Sequence, residues 1–347
     1  MQIYRLLQIP LLALLCTSCI SHVRHPYTGG DHPGQLAVHA APPGPFMHTR
    51  TAVDVQRVAE QPRRHYTIER VSFSATGTTG QADNGISGLL YSGTDSDPRP
   101  VVIVLPVWGI SEYPSNKFTR DMLRSARGAV DVFVVDGQQY LIDWQALAAA
   151  QTEPEFVRLA HDSGARIQDM VIDVRRMVDW LSSEPQIDAT RIGVIGFSLS
   201  AVVAALALQH EPRFAAGAVV MGGSDPAGIF AYCQGNPGMV RATAMQRFGW
   251  TQERYREVFE AALAGGDSRN YGGRIADPAR LLFIESAYDD CMSQESRDGL
   301  WEALGRPERI SFRFSHRKAF YAMSPLGFNV LGRYATGFFL RTFELEE

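Results

Sequence analysis

The sequence predicts a mixed α/β fold built on a mostly parallel sheet of eight strands flanked by helices. From Tyr66 onward, short β-branched runs alternate with segments of helical periodicity, which is the pattern of βαβ crossovers. Most of the later strand candidates are continuously apolar, as strands buried on both faces are. The 347 residues, 45% hydrophobic and 20% charged, have a globular composition and are numerous enough for one large α/β domain or two small ones.

Each strand is assigned from its local pattern. The first two alternate apolar and polar residues, which indicates a half-exposed antiparallel pair. The predicted strands span residues 66–74, 85–91, 100–105, 131–135, 191–196, 216–221, 280–285 and 309–314. Helices are predicted over residues 116–127, 163–183, 199–210 and 326–343. The second of these spaces its apolar residues three and four apart, so one of its faces should pack on the sheet.

The connection between the sixth and seventh strands, residues 222–279, is far longer than an ordinary crossover needs. It contains two plausible helices, over 236–248 and 251–264. An insertion that follows a parallel strand lies at the sheet edge where ligands bind. We therefore predict a cap or lid over 222–279, the alternative being a surface excursion without a role.

The N-terminal segment, residues 1–19, has the layout of an export signal. Arg5 precedes an apolar run from Leu6 to Leu15, as in a signal peptide, and the run is too short to span a bilayer. Residues 15–19, Leu-Cys-Thr-Ser-Cys, resemble a bacterial lipobox. Cys19 is thus the predicted lipid-bearing residue of an exported, periplasmic or outer-membrane-associated lipoprotein. A signal cleaved without lipid attachment, or a short anchor, is the alternative.

Residues 20–62 are rich in Pro, Gly and His and show little periodicity, which predicts a flexible linker to a folded domain over 63–347. The histidines of this segment are irregularly spaced and lack neighbouring cysteine or carboxylate clusters, so no metal site is expected. The chain has 33 basic and 37 acidic residues and a net charge of −4. Without a basic stripe, nucleic acid is not an expected partner.

A serine stands where the fifth strand passes into the following helix. Residues 191–208, RIGVIGFSLSAVVAALAL, are strand-like up to Phe197 and helix-like after Ser198. Gly196 and Ser200 flank this serine, and small residues on both sides are what a nucleophile elbow requires. A βα turn in which a serine merely caps the helix is the other reading of the same residues.

A nucleophilic serine needs a base and an acid, which in a hydrolase with this elbow follow it along the chain, the acid first. Two histidines follow Ser198. His210 lies about three turns into the helix, which carries it away from the strand ends. His316 comes directly after the last strand and is the predicted base.

The acid should follow a late strand. Asp289 lies four residues past Glu285, at the end of the seventh strand, and is the favoured orienter of the histidine. Asp290 and Asp225, the latter after the sixth strand, stay open as alternatives. The oxyanion of an acyl transfer also needs two backbone N–H donors. We expect them from Leu199, which follows the nucleophile, and Val107, in the glycine-containing loop after the third strand.

Residues 101–110 (VVIVLPVWGI), 134–136 (VVD) and 187–198 (IDATRIGVIGFS) resemble the dienelactone hydrolase branch of the α/β-hydrolase superfamily. The resemblance covers roughly residues 85–320 and implies the α/β-hydrolase fold. Two departures matter: the family has a cysteine nucleophile where this chain has Ser198, and a glutamate where it has Pro106.

These departures favour hydrolysis of small-molecule carboxylic esters by a serine triad over the lactone reaction. We expect neither a metal nor an organic cofactor. A peptidase or acyltransferase on the same triad is one alternative. A binding protein that kept the fold and lost the chemistry is the other.

Two cysteines remain after the signal region, Cys233 at the start of the predicted lid and Cys291 two residues past Asp289. Export to an oxidising compartment permits their pairing. We expect a disulfide that ties the root of the lid to the loop carrying the acid, the alternative being two unrelated thiols.

Overall fold

A computed structural model describes residues 22–29, 45–75, 84–94, 96–107, 113–137, 141–321 and 330–345. The predicted signal segment and its Cys19 lie outside these ranges. Within them, none of the helices has both the length and the apolar composition needed to cross a bilayer.

The described strands form one ten-stranded sheet in the order β1-β10-β9-β8-β7-β5-β6-β4-β3-β2. Strands β5 to β10 run parallel, whereas β4, β3, β2 and the edge strand β1 are joined to the sheet by antiparallel pairing. In chain order, β1 to β10 are His22–His25, Gln56–Ala59, Tyr66–Ala75, Asn84–Gly93, Arg99–Val104, Asp131–Val135, Ile187–Phe197, Phe214–Val220, Leu281–Ser286 and Glu308–Phe312. All eight predicted strands form, so the predicted fold class is confirmed, with two strands more than expected.

The two additional strands correct the expectation of a flexible linker over residues 20–62. Within its described parts, β1 pairs with β10 and β2 with β3. Phe46 is buried in the core at 1% exposure, and His48 contacts Asp179 at 2.6 Å between Nε2 and Oδ2. The sequence pattern missed these strands because both are edge strands with mostly exposed side chains. These strands are paired through backbone hydrogen bonds, which do not require the regular spacing of apolar residues from which strands are predicted.

Helices lie on both faces of the sheet. In chain order, α1 to α10 are Tyr113–Ala126, Trp144–Ala149, Glu153–Leu181, Leu199–His210, Pro226–Tyr232, Asn236–Phe248, Gln252–Leu263, Gln294–Ala303, His316–Tyr321 and Val330–Thr342. Helix α3 begins ten residues before its predicted start. Thr152 caps it by accepting the N–H of Glu155 at 3.4 Å, and Pro154 occupies its first turn, where a missing N–H costs nothing.

The central strands contribute side chains to two separate cores. On β5, Val101 and Ile103 belong to the cluster that includes α3 and α4, whereas Val102 and Val104 belong to the cluster that includes α1 and α10. A strand buried on both faces in this way has no polar positions. This explains the continuous apolar runs from which the parallel sheet was predicted.

The insertion over residues 222–279 carries helices α5, α6 and α7, and the two predicted helices match α6 and α7 to within a residue. It packs on α3 through an aromatic cluster centred on Phe156. The ring centroids of Trp250, Tyr255 and Phe259 lie 5.4, 6.1 and 6.0 Å from that of Phe156. The insertion is therefore fixed to the helical layer on one face of the sheet.

Candidate active site

The turn from β7 into α4 has the geometry of a nucleophile elbow. Ser198 has φ of 55° and ψ of −117°, a left-handed backbone that non-glycine residues seldom adopt. A Cβ on Gly196 would lie 2.1 Å from the carbonyl oxygen of Ser200. The turn is thus so tight that the residue two before the serine must be glycine.

Ser200 takes the place at which this motif usually has a second glycine, and its side chain braces the turn. The buried hydroxyl accepts the N–H of Phe197 at 2.7 Å and donates to the carbonyl oxygen of Phe197 at 3.0 Å. Ser198, by contrast, makes no side-chain capping bond to α4. Its hydroxyl is therefore not engaged as a helix cap.

A hydrogen-bonded path leads from this hydroxyl to a buried carboxylate. Ser198 Oγ lies 2.9 Å from His316 Nε2, and His316 Nδ1 lies 2.7 Å from Asp289 Oδ2. The side chains of His316 and Asp289 are 5% and 0% exposed. With the ring proton on Nδ1 donated to the carboxylate, Nε2 accepts the proton of the serine hydroxyl, which is the arrangement a general base needs.

The other candidate acids have different partners. Asp290 accepts the backbone N–H of His316 at 3.2 Å through Oδ1. Asp225 caps α5 by accepting the N–H of Gly228 at 3.0 Å and forms an ion pair with Arg256 at 2.9 Å. Of the three aspartates considered, Asp289 is the one whose carboxylate contacts the imidazole ring.

His210 does not take part in this path. Its Nδ1 lies 2.8 Å from the carbonyl oxygen of Leu206, one turn earlier in α4. Its ring packs between Phe46 and Tyr271, with centroid distances of 4.6 and 4.5 Å. Burial lowers the pKa of His210 from 6.5 to about 4, so this half-buried histidine is neutral at pH 7.

The loop that carries Asp289 is held from within. Asp289 Oδ1 accepts the backbone N–H groups of Cys291 and Met292, both at 2.8 Å. Cys291 is joined in a disulfide to Cys233, which ends α5 at the start of the insertion. One carboxylate oxygen thus orients the histidine while the other is fixed to the loop.

Arg297 on α8 was not among the site residues predicted from the sequence. Its side chain braces both ends of the same loop. Its guanidinium donates to the carbonyl oxygen of Ala287 at 3.2 Å and to that of Met292 at 2.5 Å. It also forms a buried ion pair with Glu285 at 3.0 Å, which in turn pairs with Arg309 at 2.7 Å. A helical arginine with a carboxylate on the preceding strand is too common a pattern to have indicated this role.

The two residues expected to supply oxyanion donors lie on adjacent elements. Leu199 is the first residue of α4, so its N–H is at the positive end of the helix dipole. On the neighbouring strand, Val104 lies opposite Ile195. Val107 lies three residues after Val104, and Ser198 lies three residues after Ile195. The two residues are therefore at corresponding positions beyond the ends of β5 and β7.

Within the described residues, three potential metal ligands come close together: Asp289, Cys291 and His316. The sulfur of Cys291 is in the disulfide, and the Asp289 carboxylate and His316 Nδ1 bind each other. These atoms are already committed, so the donor set does not fit a metal ion.

A scan against protein-family models and a search of curated proteins both gave no match. Solved structures do match. An acetyl xylan esterase from Paenibacillus sp. R4 has a TM-score of 0.58 at 18% identity, over 81% of this chain and 90% of that one. Acetyl xylan esterase 1 from Thermoanaerobacterium sp. JW/SL YS485 has a TM-score of 0.58 at 14% identity, over 84% and 89%. A 2,6-dihydroxy-pseudo-oxynicotine hydrolase has a TM-score of 0.52 at 16% identity, over 79% of this chain and 68% of that one. At such identities the likeness establishes the fold.

Proposed function

We propose that this chain, which has the α/β-hydrolase fold, is a serine-dependent carboxylic ester hydrolase. The observation that carries the proposal is the continuous hydrogen-bonded path from Ser198 Oγ through His316 to Asp289. The path begins on a strained elbow and ends at a fully buried carboxylate. Strain at a hydroxyl residue combined with a base in hydrogen-bond reach is a feature of activated nucleophiles.

In this mechanism Ser198 Oγ attacks the ester carbonyl carbon while its proton passes to His316 Nε2. The tetrahedral oxyanion then collapses, and the alcohol leaves with the proton from His316. Water attacks the acyl-enzyme in the same manner, with His316 again taking and returning one proton. Asp289 stays ionised throughout and stabilises the imidazolium through Nδ1–H.

The oxyanion is stabilised by the backbone N–H groups of Leu199 and Val107. A donor of this kind is often worth about 3–4 kcal/mol in the transition state. The insertion over residues 222–279 serves as a cap that shapes the substrate pocket, since the Cys233–Cys291 disulfide joins it to the acid loop. No metal or organic cofactor enters the reaction.

Within the superfamily, we assign the chain to the dienelactone hydrolase-like branch on the sequence resemblance, with serine in place of the branch's cysteine. Two of the similar structures bear the name acetyl xylan esterase, which supports short acyl groups as substrates. From the predicted export signal and the predicted lipid-bearing Cys19, we further propose that the protein is a lipoprotein of the bacterial periplasm or outer membrane.

The test is hydrolysis of p-nitrophenyl acetate together with fluorophosphonate labelling of the purified protein. Ser198→Ala and His316→Ala should each lower kcat by at least about 10⁴-fold, because the three groups act as a unit. Label should be lost in Ser198→Ala. The thermal stability of Ser198→Ala should change little.

A matched pair of acid variants tests the role of Asp289. Asp289→Asn should lower kcat by about 10⁴-fold because the amide favours the wrong histidine tautomer. Asp290→Asn should retain activity, because an amide oxygen still accepts the His316 backbone N–H. Full activity of His316→Ala, or a larger loss for Asp290→Asn, would refute the triad. Turnover of acyl-peptide amides but not esters would favour the peptidase.

A further inference from the structure

The first described strand begins next to the proposed active site. Strand β1 pairs antiparallel with β10, and His22 lies opposite Phe312, the last residue of β10. The chain therefore enters the sheet at the carboxyl ends of the parallel strands. We call this the active-site edge, because Ser198, Asp289 and His316 follow β7, β9 and β10 there.

The point of entry is fixed to the domain by side chains as well. His22 Nε2 lies 2.5 Å from the hydroxyl of Tyr334 on α10. The His22 ring also contacts Phe312, with the centroids 5.3 Å apart. Three residues of chain span at most about 10 Å, so Cys19 cannot lie farther than that from His22. A lipid on Cys19 would hold the entry point of the chain, at the carboxyl end of β10, within about 15 Å of the bilayer surface.

The same edge carries basic side chains. Arg313, Arg317 and Lys318 are exposed and directly follow β10, and exposed Arg333 precedes Tyr334 on α10. Two aspartates follow β9 at this edge, and both are engaged in hydrogen bonds: Asp289 accepts the N–H groups of Cys291 and Met292 and contacts the His316 ring, and Asp290 accepts the His316 N–H. In a chain with a net charge of −4, these four cations form a local basic surface, which we call the basic rim. Anionic head groups attract such surfaces.

An exposed aromatic side chain lies beside the basic rim. Tyr288 precedes the proposed acid and is 64% exposed, and its backbone N–H donates to the carbonyl oxygen of Phe314 at 3.1 Å. Phe314 stacks on Phe312, with centroids 6.4 Å apart, so Tyr288 is near the entry point of β1. Tyrosine is favoured at the level of lipid head groups.

From the tether length, the basic rim and Tyr288 together, we propose that the active-site edge docks on an anionic phospholipid bilayer. The inference rests on the proposed lipid anchor at Cys19 and deepens the proposed function. The nucleophile then opens toward the membrane, so the ester substrate is one carried at the bilayer surface. Docking itself requires no catalysis.

Orientation is tested on the acylated full chain in vesicles of phosphatidylethanolamine with about 30% phosphatidylglycerol. One variant, Arg317→Cys, places a fluorophore on the basic rim. Its control, Ala189→Cys, places the same fluorophore on an exposed position near the amino end of β7, at the opposite edge of the sheet. A nitroxide-labelled lipid should quench the first and spare the second. Equal quenching, or stronger quenching at position 189, would overturn the proposal.

The charge contribution is tested on the unacylated full chain, Cys19→Ala with an ordinary cleavage site. Arg313→Gln/Arg317→Gln/Lys318→Gln should lower partitioning onto the same vesicles by about 100-fold, at about fivefold per cation. The matched control neutralises three exposed arginines at the opposite edge of the sheet: Arg280, Arg306 and Arg341. Equal losses in both variants would contradict a localised docking surface.

Two further readouts separate docking from catalysis. Hydrolysis of a dissolved ester by the basic-rim variant should equal that of the unvaried protein, so loss of docking does not imply loss of function. If the protein hydrolyses no ester but the quenching pattern appears, docking stands and the proposed function falls. Mass spectrometry of the mature protein must find an acyl group on Cys19, and its absence would overturn the inference.

Discussion

Removing the Cys233–Cys291 disulfide should lower both stability and activity. The bond closes a loop with a sequence separation of 58, for which the chain-entropy relation gives about 4 kcal/mol at 25 °C. Cys233→Ala/Cys291→Ala should therefore lose about that much free energy of unfolding. The loss arises mainly because the unfolded chain regains freedom, so it should accompany a nearly unchanged core.

The activity loss has a separate origin. The N–H of Cys291 bonds Asp289 Oδ1 at 2.8 Å, so the disulfide holds the loop on which the carboxylate is oriented. Without it, small displacements of Asp289 would weaken the contact with His316. Displacements of about 1 Å can cost about 100-fold in rate. Because Arg297 still braces the loop, we expect a loss of about tenfold in kcat.

Urea unfolding and ester hydrolysis, each measured with and without a phosphine reductant, test both effects. Reduced unvaried protein should match the double variant, and the reductant should leave the double variant unchanged. Cys233→Ala alone opens the same loop and should be about as unstable as the double variant. A double variant as stable and active as the oxidised protein would refute the reasoning.

Three other changes test the site and core. Arg297→Met removes the brace on the acid loop and one of the arginine partners of buried Glu285. The free energy of unfolding should fall by about 3 kcal/mol, and kcat should change more than KM. Arg297→Lys should restore part of the stability and part of kcat. Gly196→Ala places a Cβ 2.1 Å from a backbone oxygen and should lower kcat by about 100-fold through the displaced elbow; unaltered kinetics would contradict the tight turn. Burial lowers the pKa of His210 from 6.5 to about 4, so between these pH values the unfolded protein binds a proton that the folded protein does not. Stability present above pH 6.5 should therefore decline toward pH 4, and His210→Phe should flatten that decline in urea unfolding.

Much of the fold was predictable because its signals are local. A strand buried on both faces must be continuously apolar, and a helix on a sheet must repeat its apolar residues every three to four positions. The elbow is local too, since it needs small residues immediately around Ser198. The chain order of serine, acid and histidine then restricted the base to a single histidine after the last strand. These features depend on spacing along the chain, which a single sequence contains in full.

The remaining features were decided by the tertiary structure, because they depend on partners distant along the chain. Strands β1 and β2 were read as linker, since edge pairing uses backbone groups that every residue has. Which of Asp289, Asp290 and Asp225 contacts the imidazole depends on the direction in which each side chain points from its loop, and spacing does not encode this. The brace arises because the Arg297 side chain on α8 reaches Glu285 on β9 and the carbonyl oxygens of the loop between them. Such contacts form when elements dock, and their hydrogen bonds leave no periodic signal in the sequence.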